Sequence, residues 1–174
     1  MNRGQSAQRA SGPPPGVIEE IRKRLSEREV QGMQALFALR AGAQRMDNAL
    51  NAWLADTAGS FARFQILMAL WASKSREIPH NEIVSAMGVT RATVSGLMAA
   101  LERDGLVKSC SDAKDRRKLI ARLTGKGETT IKKAFETSLD RFRAVFASLS
   151  EAELTRLTAL LHRIREGFAR SDPG

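Results

Sequence analysis

Little in this 174-residue chain is suited to covalent or metal chemistry. Cys110 is the sole cysteine, so no disulfide framework can hold the fold, and a reducing compartment fits. His80 and His162 stand 82 residues apart with no partners at ligand spacing, which speaks against a metal site. No Ser/His/Asp or Cys/His set indicates nucleophilic catalysis, and an enzyme is the class with least support. Gly125-Lys126-Gly127 superficially suggests a phosphate loop but lacks the glycine spacing one needs. No apolar run reaches the roughly 18 residues of a membrane span. The first 30 residues lack the apolar stretch of a secretory signal. These absences lead us to expect a cytoplasmic protein without cofactor, catalytic residues or membrane.

What is present is positive charge. Lys and Arg number 28 against 19 acidic residues, a net charge of +9. The excess is not spread evenly: residues 106–127 hold 7 basic and 2 acidic groups, more than half of the surplus in 22 residues. A localised basic segment points to a polyanion, above all nucleic acid, more than to a diffusely attractive surface.

Periodicity divides the chain. Residues 1–16 are rich in Gly, Ser, Gln and Pro, and too poor in apolar groups to offset ordering entropy; a disordered tail is expected. From Val17 to about Ala55 the pattern is helical, as one long helix or two with a break near Gly32 or Gly42. Ser60 is placed to cap a helix carrying Phe61, Phe64, Leu67, Met68 and Trp71 on one face. Residues 74–79 read as a polar connection. A short helix over 80–87 meets Gly88, and Thr90 caps a helix from Arg91 to Asp104 that Gly105 stops. Leu106–Cys110 and Lys118–Leu123 have strand character around a charged loop, a hairpin. After Gly127 come two helical stripes, Ile131 to Leu149 and Leu154 to Phe168, the second capped by Ser150 with Glu153.

The turn Met87-Gly88-Val89-Thr90 between short helices is a helix-turn-helix signal. In the second helix, Val94, Leu97, Met98 and Leu101 fall on one face. Ala92, Ser95, Gly96, Ala99 and Arg103 fall on the other, small enough for close approach to base edges. Arg91 reaches a guanine edge or a phosphate there, and Thr90, Thr93 and Ser95 offer hydroxyls. An amphipathic core helix with a permissive outer face would look the same. The hairpin loop adds Lys114, Arg116, Arg117 and Lys118 beside Asp112 and Asp115. Such a basic loop suits a minor groove, with Asp115 bracing Arg117, although a solvated charged turn has the same composition.

The stretch Asp112-Ala-Lys-Asp-Arg-Arg-Lys-Leu-Ile-Ala-Arg-Leu-Thr-Gly-Lys-Gly127 resembles the wing signature of the MarR family of bacterial transcriptional regulators. That signature, Asp-x-Arg, five residues, Leu-Thr and a nearby Gly, falls on Asp115, Arg117, Leu123, Thr124 and Gly127. Val89-Thr-Arg-Ala-Thr-Val-Ser-Gly-Leu-Met-Ala-Ala-Leu-Glu-Arg-Asp-Gly-Leu-Val107 is similar to the family's recognition helix and first wing strand. The resemblance spans about residues 30–170 and is strongest over 82–127. It implies a mainly α fold: a winged helix-turn-helix with a two-stranded hairpin wing, flanked by N- and C-terminal dimerisation helices. The corresponding division is 1–16 tail, 17–60 and 125–171 dimerisation regions, and 61–124 DNA-binding lobe. It also implies a homodimer on a pseudo-palindromic operator, with groove contacts by Thr90, Arg91, Thr93 and Ser95 and wing contact by Arg117. Two departures stand out. Arg63 replaces a frequent Gln, and Pro79 occupies a position where Thr or Ser often caps the third helix.

Family members commonly release DNA on binding a small aromatic or anionic effector, phenolic acids in some and acyl-CoA thioesters in others. By that resemblance Phe61, Phe64 and Met68 line a pocket with Arg40 as anion partner; the three apolar residues equally suit a core. Partners expected are double-stranded DNA, a second copy of the chain and a small effector. Competing readings are a non-specific architectural DNA-binding protein, a redox-responsive regulator using Cys110, and a helical adaptor whose 131–168 stripes bind another protein. The family's peroxide-sensing branch keeps its cysteine in the N-terminal helix, where this chain has none.

Overall fold

The computed structural model describes residues 15–111 and 118–171. Its elements are α1 (Pro15–Arg22), α2 (Glu27–Leu54), α3 (Phe61–Ala72), β1 (Glu77–Pro79), α4 (His80–Met87), α5 (Arg91–Arg103), β2 (Val107–Ser111), β3 (Leu119–Leu123), α6 (Gly125–Phe146) and α7 (Glu151–Ser171). The chain forms two compact units, one ending at Ala134 and one beginning at Phe135. No single helix among the described residues is long and apolar enough to cross a membrane.

The N-terminal helical region is indeed broken, but not at a glycine. Helix α1 already includes Pro15 and Gly16, which the composition assigned to the tail; Met1 to Pro14 lie outside the described residues. The break falls before Ser26, which caps α2 in a full capping box. The Ser26 hydroxyl accepts from the Glu29 N–H at 3.4 Å, while the Glu29 carboxylate accepts from the Ser26 N–H at 2.7 Å. Such a box satisfies two orphan donors at once. Gly32 and Gly42 then lie inside α2, in open space.

The first unit closes over one core. Leu54, Ile66, Leu67 and Leu70 from α2 and α3 meet Ile83, Val94, Met98 and Leu101 from α4 and α5. Leu106, Val107, Ala121 and Ile131 complete it, all at most 4% exposed. Burying one such large apolar side chain contributes about 1.5–3 kcal/mol, so α5 is anchored by its inner face.

The sheet has three strands in the order β1-β3-β2, all antiparallel, where a two-stranded hairpin was expected. Residues 77–79, read as connection, pair with β3: Glu77 opposite Arg122, Ile78 opposite Ala121, Pro79 opposite Ile120. Three residues with a proline carry no alternation signal. They become a strand because β3 offers its second edge, and proline is tolerated at a sheet edge. The approach is set by Arg76, whose φ of 58° is left-handed and whose carbonyl accepts from Leu123 N–H at 3.0 Å.

Helix α6 starts at Gly125, earlier than the apolar stripe indicates. The Thr124 hydroxyl accepts from the Gly127 N–H at 3.0 Å and donates to the Gly105 and Leu106 carbonyls at 2.8 and 3.0 Å. Gly127 is buried, and a Cβ there would stand 2.1 Å from the Leu106 carbonyl oxygen. Only glycine permits this contact.

In the second unit, α7 is capped as the sequence predicts: the Glu153 carboxylate accepts from the Ser150 N–H at 2.8 Å and its own N–H reaches the Ser150 hydroxyl at 3.3 Å. No residue of α7 is buried within the single chain.

Candidate nucleic-acid interface

Between α4 and α5 the chain turns through 117°. Gly88, in the left-handed region at φ 63°, ends α4 with its N–H on the Val84 carbonyl at 3.2 Å. Thr90 opens α5, accepting from the Thr93 N–H at 3.2 Å. The Thr90 and Thr93 hydroxyls also meet at 2.9 Å. Both threonines thus order the helix start and remain exposed there. The angle lies in the range of helix-turn-helix pairs. Pro79 caps α4 without a side-chain hydrogen bond, its fixed φ of −60° sufficing for entry.

The two faces of α5 separate as predicted. Val94, Met98 and Leu101 are at most 2% exposed, whereas Arg91, Ala92, Thr93, Ser95, Gly96, Ala99 and Arg103 face solvent. Gly96 has open space where a Cβ would stand. Beside this face lies a crevice of about 350 Å³ lined by His80, Asn81 and Val84 of α4, Arg91, Val94 and Ser95 of α5, and Lys118 and Leu119 at the start of β3. The crevice thus brings the N-terminal turn of α5 together with the Arg91 and Lys118 side chains.

Strands β2 and β3 remain in register up to the pair Ser111–Leu119. Lys114, Asp115, Arg116 and Arg117, the wing residues inferred from the sequence, lie outside the described residues. The charge count over 106–127 is partly spent on structure. Arg122 pairs with Glu77 across the sheet at 3.0 Å, and Lys126 donates to the Asp104 carbonyl at 2.8 Å.

The sequence marks His80 only as a histidine without metal-ligand partners. Its Nε2 lies 2.9 Å from the Ser109 hydroxyl, tying the first residue of α4 to β2. Burial lowers its pKa below the ordinary histidine value, with Glu102 opposing that shift. The sequence marks Arg63 only as a departure from the family pattern. Its guanidinium hydrogen-bonds the Asp104 carboxylate, 41 residues away, and this holds Asp104 below the usual carboxylate range, with Arg103 and Lys126 adding to the effect. Both partners lie too far along the chain for any local pattern to reveal them.

Phe61, Phe64 and Met68 are half-buried against the core, the two rings 6.3 Å apart. Phe61 N–H donates to the Asn51 side chain of α2 at 2.8 Å. Arg40 is exposed on α2, about 16 Å along the axis from Asn51 at 1.5 Å per residue. Phe61 and Phe64 thus stack on one face of α3, and Arg40 faces solvent on α2. Cys110 is half-buried, its Sγ 3.8 Å from the Ile120 carbonyl. Among the described residues no group of three or more His, Cys or acidic side chains converges on a metal position.

A model of the MarR family matches residues 60–118, from the cap of α3 to the threshold of β3. The chain is 27% identical over 118 residues to the HTH-type transcriptional repressor YetL of Bacillus subtilis, covering 68% of this chain and 71% of that one. It superposes on a MarR family transcriptional regulator from Streptomyces coelicolor, solved in complex with DNA, with a TM-score of 0.75 and 25% identity over 83% of this chain and 90% of that one. A TM-score of 0.65 and 25% identity, over 73% and 89%, relate it to Bordetella bronchiseptica BpsR, whose DNA binding is regulated by 6-hydroxynicotinic acid. Helix order, helix-turn-helix, sheet and these likenesses agree, and the chain is similar to the MarR family of transcriptional regulators in its central lobe and in its fold.

Proposed function

We propose that this chain is a homodimeric repressor that reads a pseudo-palindromic DNA site and leaves it when a small aromatic acid binds. The observation that carries the reading is the outer face of α5, exposed and built of small residues behind a capped N-terminus. Arg91 and Ser95 contact base edges in the major groove, with Thr90 and Thr93 holding the helix start against phosphate. Lys114, Arg116 and Arg117 enter the flanking minor groove, with Asp115 orienting Arg117.

Dimerisation is supported by apolar side chains left in solvent. Leu36, Leu39 and Met46 of α2 are 37–53% exposed, as are Phe142 and Val145 of α6 at 54–55% and Leu157, Leu161, Ile164 and Phe168 of α7 at 39–56%. A second copy covering these faces removes that area from water. Residues 17–60 and 125–171 then serve dimerisation, and 61–124 serve DNA binding. Repression is argued from the likeness to the repressor YetL, and the effector class from the likeness to BpsR. Of the phenolic-acid and acyl-CoA classes, the first is therefore favoured. A chromosomal operator places the protein in the bacterial cytoplasm.

The test is a mobility-shift titration on the DNA upstream of the protein's own gene, repeated with hydroxylated aromatic acids and their CoA thioesters. Arg117→Ala should weaken binding by about 1–3 kcal/mol, the scale of one good contact. Arg91→Ala should change which sequences are preferred. Unchanged affinity in the first variant overturns the wing assignment, and uniform loss over all sequences in the second shows that Arg91 holds phosphate alone.

A further inference from the structure

Helix α5 is gripped at its C-terminal end from two directions. From α3, Arg63 reaches Asp104, the residue that caps α5. The Arg63 side chain is only 18% exposed, its Nε is buried without a hydrogen-bond partner, and its guanidinium lies under Gly59, where a Cβ would stand 3.0 Å from Nη1. From α6, Lys126 donates to the Asp104 carbonyl, and Thr124 donates to the carbonyls of Gly105 and Leu106. An aspartate at a helix C-terminus opposes the helix dipole, so Asp104 does not serve the helix itself. Its carboxylate is matched instead to the cation that α3 presents.

We propose that Arg63 is a positioning residue for DNA reading: by holding Asp104 it fixes the tilt of α5, and so sets discrimination between sequences more than overall affinity. This rests on the reading of α5 as the recognition helix. The lever is long. A 13-residue helix measures about 20 Å, so a tilt of about 10° about Asp104 moves Arg91 by about 3 Å. Such a displacement breaks a base-edge hydrogen bond, whose donor–acceptor tolerance is a few tenths of an ångström, while a flexible cation still finds a phosphate.

The experiment compares the full-length protein with R63M, R63K and D104N, each titrated against its preferred duplex and a random duplex. Thermal unfolding and oligomeric state are measured alongside. R63M and D104N should lose about tenfold on the preferred duplex and less than about twofold on the random one. The double variant should lose no more than either single one, and R63K should recover part of the loss. D104N changes one exposed carboxylate to an isosteric amide, so it carries the test if R63M fails to fold. A discriminating wild type matched by all variants, or equal losses on both duplexes, overturns the inference alone. A wild type that binds both duplexes alike overturns the reading of α5, and the inference with it.

Discussion

Gly127 and His80 are single residues on which the lobe depends, for different reasons. At Gly127 the constraint is space: any Cβ collides with the Leu106 carbonyl oxygen, a backbone atom that cannot turn aside. Gly127→Ala should destabilise by about 1–3 kcal/mol, read as a shift of the urea midpoint, because the junction of β2 and α6 must open. At His80 the constraint is charge. Its folded pKa lies below that of the unfolded chain, so between the two values the unfolded state binds more protons. Stability is then full above the ordinary histidine pKa of about 6.5 and is lost as pH falls through it. Glu29, Asp104, Glu128 and Glu153, all lowered, add a second loss at more acid pH. Thermal midpoints should therefore decline on acidification from about pH 7.5 to 5.5, and His80→Gln should remove that part of the slope. An unchanged slope contradicts the assignment. Legibility at this scale followed chain separation. Ser60, Thr90 and Ser150 could be read as caps because their partners lie three residues on. Arg63 and His80 could not, since their partners lie 41 and 29 residues away.

Among the elements, the helices were legible and β1 was not. Helix signals are internal: periodicity, a capping residue, a stopping glycine. A three-residue edge strand has no such signal and exists only because β3 is already in place. The break between α1 and α2 shows the balance of two local effects. A mid-helix glycine costs about 1 kcal/mol, which a long packed helix absorbs. A complete capping box at Ser26 and Glu29 supplies a start that no glycine supplies. Ser26→Ala should lower stability by about 0.5–2 kcal/mol, and Gly32→Ala should raise it by up to about 1 kcal/mol. Circular dichroism melts distinguish these outcomes; the reverse order would place the break at the glycine. The division of α5 into a buried and an exposed face was legible for the same internal reason, its apolar residues sitting at helical spacing. The two strands of the hairpin were legible in composition, but the pairing of Arg122 with Glu77 and of Lys126 with the Asp104 carbonyl was not.

At the scale of the whole molecule, the governing fact is that no residue of α7 is fully buried within one chain, although the helix carries a continuous apolar stripe. Under the proposed homodimer a second copy covers that stripe. Ile164→Glu, a charge set in the middle of it, should weaken dimerisation by about 3 kcal/mol or more, since an unpaired carboxylate resists burial. Sedimentation should then show monomer at concentrations where the parent is dimeric, and affinity for a two-half-site duplex should collapse while a single half-site is bound as before. A parent that sediments as a monomer would favour an adaptor role for these stripes instead. The central claim, that a dimer reads DNA sequence through α5, is tested most directly by selecting bound duplexes from a random pool with the full-length protein. The account predicts enrichment of an inverted repeat whose half-site centres lie about one helical turn apart, with binding that falls steeply as salt rises. Retained binding with no enriched sequence would contradict it.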